Sequence, residues 1–239
     1  MIELDDVVVT AWSPDPAGGA DRVVRLLGPV TLRLAERRIA VIGANGSGKS
    51  TLARLLNGLV LPSSGTVRVD GLDTASDGAA VRQRVGFVFT DPNAQIVLPT
   101  PLEDVALSLR RRFPDKAERL EAARAALRRF GLGERADVSV HALSGGQRQL
   151  LAIAAVLAVE PAVLVCDEPT TLLDLRWRRV VDDLLADLDQ QVVVVTHDLD
   201  AARRADRVLV VDDGLVVHDG DPHESVAHYE ALMGQAGVP

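Results

Sequence analysis

The sequence predicts an α/β fold: a mostly parallel core sheet with helices, an antiparallel β lobe and an inserted helical lobe. Three observations predict it. Short apolar runs at 39–42, 162–166 and 192–195 show no alternation, as expected of strands covered on both faces. The first runs into a glycine-rich loop and then into leucines at helical spacing. Between residues 91 and 137 the apolar residues recur at helical spacing instead. At 239 residues and 47% hydrophobic content, the chain suits one compact unit over residues 2–234. Within it, 2–90 and 138–234 form the core with its β lobe, and 91–137 the helical lobe.

Each element follows in order. Residues 2–9 and about 22–34 read as strands around a Pro/Gly-rich loop, Ser13–Ala20. Strand 39–42 leads into Gly43, and a helix carrying Leu52, Leu55, Leu56 and Leu59 follows, with Gly58 marking its end. Residues 65–71 form a strand between turns, and Val85–Phe89 returns to the core sheet. In the helical lobe Leu120, Ala123, Leu127 and Phe130 share one face, and Gly131 ends the helix. A helix from about Gln147 to Val159 is closed by Glu160-Pro161. Strands at 162–166 and 191–195 complete the core. Val208–Asp212 and Leu215–His218 flank Asp213-Gly214, a strong hairpin signal. A short helix over 221–234 closes the chain.

The loop Gly43-Ala44-Asn45-Gly46-Ser47-Gly48-Lys49-Ser50-Thr51 sits in the strand–loop–helix context that phosphate binding requires. Its glycines let backbone N–H groups converge on phosphate oxygens, and the helix N-terminus adds partial positive charge. Lys49 supplies a full charge to the outer phosphates of a nucleotide triphosphate, and Ser50 a hydroxyl to Mg²⁺. A chance glycine-rich turn is the plain alternative, and the flanking strand and helix argue against it.

Strand 162–166 ends in Asp167-Glu168-Pro169. A carboxylate there suits Mg²⁺ through its water shell, and Glu168 suits the attacking water, as general base or electrostatic orienter. Without the phosphate loop, ordinary turn chemistry explains such a pair equally well. The strand at 191–195 likewise ends in Thr196-His197-Asp198. Ligands of open α/β sheets bind at that edge, which puts His197 over the γ-phosphate, with a structural histidine as the alternative. Leu143-Ser144-Gly145-Gly146-Gln147 precedes a helix, with Ser144 as N-cap. It forms a second anion cradle. Two cradles for one triphosphate point to two copies facing each other.

Other classes fall away. A net charge of −8 without a basic stripe argues against nucleic acid, and Arg110–Arg112 reads as a solvated helix end. One cysteine, Cys166, gives no disulfide framework or metal site and fits a reducing cytoplasm. The acidic start, Met1–Asp6, lacks the features of a signal peptide. The longest apolar run, 150–159, is too short for a bilayer, which takes roughly 20 residues.

The phosphate loop, Leu143–Gln147, Asp167-Glu168, Thr171–Asp174 and His197, in that order, resemble the motifs of an ABC-type ATPase. The resemblance covers essentially the whole chain. It implies a P-loop NTPase (RecA-like) core and a head-to-tail nucleotide-sandwich dimer. In that dimer Leu143, Ser144, Gly145, Gly146 and Gln147 meet ATP held by the partner's loop, and Asp174 communicates between the two sites. It also implies a transmembrane coupling subunit and a substrate-binding membrane subunit, with the chain at the cytoplasmic face of the membrane. Asp91–Gln95 and Leu102–Ala106 resemble the ATPases of energy-coupling-factor importers, which take up vitamins and transition-metal ions. Residues 41–46 and 70–74 most resemble the biotin importer's ATPase, with a cobalt or nickel importer as the alternative.

Three positions depart from that pattern. Thr90 stands where the family has a Gln that reaches Mg²⁺ and the attacking water. Its shorter side chain reaches the metal only through a bridging water. Gln95, five residues on, is expected to face the membrane partner instead. Ala11 replaces the aromatic that carries the adenine, leaving Trp12 either to stack on the base or to serve structurally. Leu150 stands where many relatives carry Arg, and no mechanism attaches to it. Non-transport ABC ATPases form a further alternative. Those that act on DNA carry long coiled-coil or zinc-bearing insertions, and the ribosome-associated kind joins two cassettes by a charged linker. Neither feature is present here.

Overall fold

The computed structural model describes residues 1–14 and 21–235. Most of the expected loop Ser13–Ala20 therefore lies outside the described residues. In chain order the strands are β1 (Ile2–Ser13), β2 (Arg22–Leu34), β3 (Arg38–Ile42), β4 (Ser64–Val69), β5 (Leu72–Asp73), β6 (Val85–Val88), β7 (Val163–Asp167), β8 (Gln191–Val195), β9 (Arg207–Asp212) and β10 (Leu215–Gly220). The helices are α1 (Lys49–Asn57), α2 (Gly78–Arg84), α3 (Pro101–Ser108), α4 (Lys116–Arg129), α5 (Gly145–Leu157), α6 (Leu175–Asp187), α7 (Leu199–Arg203) and α8 (Pro222–Gln235). The chain divides into two units, Met1–Val85 with Gln191–Pro239, and Gly86–Gln190.

The first unit holds two sheets. One is antiparallel, ordered β2-β1-β4-β5. Ile2, Leu4, Val7 and Val9 of β1 are buried. Register shifts between Leu4 and Val7, and again before Val9, keep them on the inner face past a bulge. In the other sheet β3 pairs in parallel with β8 on one side and β9 on the other. All of β3 beyond Arg38 is buried, which explains why its apolar residues run without alternation. Ala40 and Ile42 pack with Val208, Val210, Ala202 and Val226, so α7 and α8 cover this face. The hairpin from β9 to β10 turns on Asp213 (φ 44°) and Gly214 (φ 74°), the positive pair that a tight two-residue turn demands.

Helix α1 buries Leu52, Leu55 and Leu56 and ends at Gly58, whose N–H bonds back to the last turn. Asn57 donates to the Val85 carbonyl at 2.6 Å inside the unit.

In the second unit β6 and β7 are neighbours and every residue of both is buried. Segment 91–137 contains only helices and turns. Thr100 caps α3, which has Pro101 in its first turn, and Asp115 caps α4. Ala123, Leu127 and Phe130, at the end of α4, are buried, three of the four residues expected to share its inner face, and Leu120 is half-buried. Helix α5 starts at Gly145, two residues before the expected Gln147, so Gly145 and Gly146 both belong to its first turn. Helix α6 buries only Val181 and Leu185, four residues apart. Among the described residues no helix is long and apolar enough to cross a membrane.

Candidate functional site

In the first unit the loop 43–51 sits at the carboxyl end of β3. Gly48 is in the left-handed region (φ 107°) and offers α1 no side-chain cap, so the helix begins on a residue only glycine tolerates well. Uncapped amides at a helix N-terminus form an anion site. Lys49 is 5% exposed, and its ammonium donates to the carbonyls of Gly43 at 2.9 Å and Ala44 at 2.8 Å. The charge is thereby folded over the loop that produces it. The Ser47 hydroxyl is buried without a partner among the described residues. An unsatisfied buried hydroxyl costs about 1–3 kcal/mol, and a phosphate oxygen would satisfy it.

His197 belongs to the same unit and the same sheet edge. Val41 and Val195 are opposite each other in the β3–β8 pair, and the Thr196 N–H donates to the Val41 carbonyl at 3.1 Å. Two residues beyond Val195, His197 is exposed beside the start of the loop. Asp198 caps α7 through the amides of Asp200 and Ala201, both at 3.0 Å. Trp12 lies on β1 opposite Val23 and is 72% exposed, leaving its ring open to a planar partner.

The second unit holds the carboxylates and the signature. Asp167 ends β7 at 2% exposure. Glu168 follows with φ 51°, a left-handed backbone that a non-glycine residue rarely adopts. The Thr171 hydroxyl donates to Glu168 Oε2 at 2.9 Å, so the carboxylate is held through that oxygen. Thr90 donates its hydroxyl proton to the Asp167 carbonyl at 2.7 Å, and its oxygen keeps its lone pairs for a water. Gln95 does not point outward as expected. Its Oε1 accepts from the Phe89 N–H at 3.2 Å and its Nε2 donates to the Ala152 carbonyl at 3.3 Å, which engages both ends of the amide within the unit. Leu150, the third departure, is buried on α5.

Ser144 caps α5 in a reciprocal box. Its hydroxyl accepts from the Gln147 N–H at 3.3 Å while the Gln147 Oε1 accepts from the Ser144 N–H at 2.9 Å. Gly145 is exposed and open, whereas Gly146 is buried against Trp177. Asp174 caps α6, accepting from the Trp177 N–H at 2.9 Å. Sequence patterning gave Thr171 only as the start of the Thr171–Asp174 segment, with no role, and missed Trp177; the contacts of both arise from the fold.

Burial pushes the Cys166 thiol well above its ordinary range, and neighbouring Asp167 adds to that. The thiol is therefore an inert part of β7.

Comparison with known proteins decides the family, because residues 27–171 match the ABC transporter model. The chain belongs to the ABC transporter family. Its likeness to the biotin transport ATP-binding protein of Rhizobium etli is 44% identity over 86% of this chain and 92% of that one. To the energy-coupling factor transporter ATP-binding protein of Halalkalibacterium halodurans it is 40%, over 84% and 73%. Among solved structures, a dimeric ATP-binding cassette in a post-hydrolysis state bound to ADP and Pi aligns with a TM-score of 0.81. That match has 32% identity and covers 93% of this chain and 99% of that one. The fold is the P-loop NTPase fold of these cassettes. The ABC chain described here is an ATP-hydrolysing subunit of the energy-coupling-factor type.

Proposed function

We propose that this subunit drives uptake of a vitamin, biotin, by hydrolysing ATP in a head-to-tail pair with a second ATPase. The membrane parts are a coupling subunit and a substrate-binding subunit, and the pair sits on the cytoplasmic face of the membrane. The observation that carries the pairing is the presence of two anion cradles in one chain, the uncapped start of α1 at Gly48 and the capped start of α5 at Ser144. Biotin rests on the likeness to the Rhizobium etli protein.

Mg²⁺ fits the donors present. The hydroxyl of Ser50 on the first turn of α1 and the buried carboxylate of Asp167 are hard oxygen ligands of the type it prefers. When bound, it screens the charge that builds on the phosphates. Lys49 holds the outer phosphates, and residues Gly43 to Thr51 wrap them with backbone amides. Trp12 supplies a face for the adenine, and the Thr90 hydroxyl, held on the Asp167 carbonyl, would accept from a water of the metal when it is bound. Glu168 takes or orients the proton of the attacking water, with its carboxylate fixed by Thr171. His197 steadies the γ-phosphate. Leu143, Ser144, Gly145, Gly146 and Gln147 close over the partner's ATP, and Asp174 links the two sites.

The test is uptake by the chain reconstituted in vesicles with a coupling subunit and a biotin-binding membrane subunit. ATP-dependent accumulation of labelled biotin, lost in Lys49→Ala, is the expected result. Accumulation of cobalt or nickel ions with no response to biotin overturns the substrate. No ATP-dependent uptake of any such solute overturns transport itself.

A further inference from the structure

We propose that Trp177 is a positioning residue for hydrolysis, joining Asp174 to the signature glycines within one chain. A Cβ built on Gly146 falls inside the Trp177 indole, against Cγ, Cδ2 and Cε2. Those atoms are the rigid middle of the ring rather than a flexible tip, so the indole occupies the space any other residue would need. Gly145 one position earlier meets nothing within 4 Å. The two glycines therefore do different things. Gly145 leaves the first turn of α5 bare on its open side, while Gly146 lets α5 rest on a flat aromatic floor.

That floor is itself fixed. Trp177 is the third residue of α6, and its backbone N–H is held by Asp174 Oδ1 at 2.9 Å. A shift of the Asp174 carboxylate moves the first turn of α6, and with it the ring on which Gly146 sits. Asp174 is exposed and thus open to a partner, whereas Gly146 is buried. The indole is the only bulky group placed by one and packed on the other among the contacts described for Gly146. Core packing transmits such displacements because it has little free volume to absorb them.

This inference rests on the reading that 143–147 closes over the partner's ATP. It adds the element that tells that segment where to be. Trp177 lies on α6, outside the phosphate loop 43–51, so its loss should spare nucleotide binding by the chain's own loop and impair closure.

The experiment uses the full chain with three substitutions, Trp177→Ala, Trp177→Leu and Trp177→Phe, alone and with Glu168→Gln as a closure trap. Mg-ATP affinity is measured by calorimetry, pairing by analytical ultracentrifugation, and turnover by phosphate release. Affinity at the chain's own loop should change less than about twofold, while kcat falls about tenfold or more for Ala and Leu. The concentration needed for ATP-driven pairing should rise by a similar factor. Phe, which keeps a flat face, should restore most of both. Equal pairing and turnover for Ala, Leu and the unsubstituted chain overturn the role of Trp177 alone. If Ala does not fold, Leu fills the volume without a flat face and decides the same question. If the Glu168→Gln chain with native Trp177 does not pair on ATP, the signature reading falls and this inference with it.

Discussion

Thr90 holds the peptide that joins Asp167 to Glu168: its hydroxyl donates to the Asp167 carbonyl at 2.7 Å, immediately before the residue whose φ is 51°. A left-handed glutamate stores about 1–3 kcal/mol of backbone strain, so something must restrain it. Thr90 restrains the preceding carbonyl, and Thr171 restrains the side chain.

Removing the Thr90 hydroxyl without changing its shape tests this. Thr90→Val should lower stability by about 1 kcal/mol, the worth of one hydrogen bond, read as a fall in thermal midpoint. Turnover should drop about fivefold or more while ATP affinity stays within about twofold, because Asp167-Glu168 loses its alignment and the phosphate loop does not. Thr90→Ser should behave like the parent. An unchanged kcat in Thr90→Val removes both the restraint and the proposed water-bridged reach to the metal.

At Glu168 the expected split is sharper. Glu168→Gln keeps shape and hydrogen bonding but cannot take a proton, so ATP binding persists and turnover falls about 10²-fold or more. Thr171→Val should give a milder version, severalfold lower kcat at constant affinity, since the carboxylate remains and only its orientation loosens. Single-turnover phosphate release separates the two. Rapid hydrolysis by Glu168→Gln would contradict the assignment.

Much of this was legible in the sequence because the signals are local. The loop 43–51, the capped start at Ser144 and the Asp213-Gly214 turn each combine a backbone requirement with the residue that meets it. Helix α6 was not legible: its buried face is only Val181 and Leu185 amid Arg and Asp, too thin a stripe for periodicity to mark. Its N-cap, Asp174, had already been given another role by resemblance. Side-chain contacts such as Thr90 with Asp167, or Gly146 with Trp177, join residues far apart in the chain, and no pattern of spacing encodes them. Gln95 shows the same limit. Its place between Thr90 and the helical lobe suggested a side chain facing the membrane partner, and the fold instead engages it with Phe89 and Ala152.

Arg207 makes a prediction about stability alone. It donates to Asp219 twice at 2.6 Å, to the Arg33 carbonyl at 2.8 Å, and to Glu36 at 3.1 and 3.2 Å. Its side chain is 19% exposed, so these contacts are only partly screened. The first-unit sheets are thus clasped near the ends of β2 and β9. Arg207→Met keeps the aliphatic stem and removes every donor, leaving Asp219 and Glu36 with no cation in place. Stability should fall by roughly 2–4 kcal/mol, measured by denaturant unfolding, while Mg-ATP affinity of the folded fraction is unchanged. A loss below about half a kcal/mol would show that water replaces the guanidinium without penalty.

Cys166 offers a check that needs no nucleotide. It is the one cysteine of the chain, fully buried on β7, and burial together with Asp167 lifts its thiol above the ordinary value of 9.0. Because the thiolate is the nucleophile, an aromatic disulfide reagent should modify the folded protein only as fast as the unit opens. In denaturant the same thiol should react immediately. The linkage has a definite sign. A thiol harder to ionise when folded stabilises the fold fully below pH 9.0, and that contribution is lost as pH rises above it, where only the unfolded chain releases its proton. This group should therefore leave stability flat from pH 7 to about pH 9 and make it slope downward above that, and Cys166→Ala should remove that part of the slope. Rapid labelling of the native protein at neutral pH would mean that β7 is not the closed strand that positions Asp167 and Glu168.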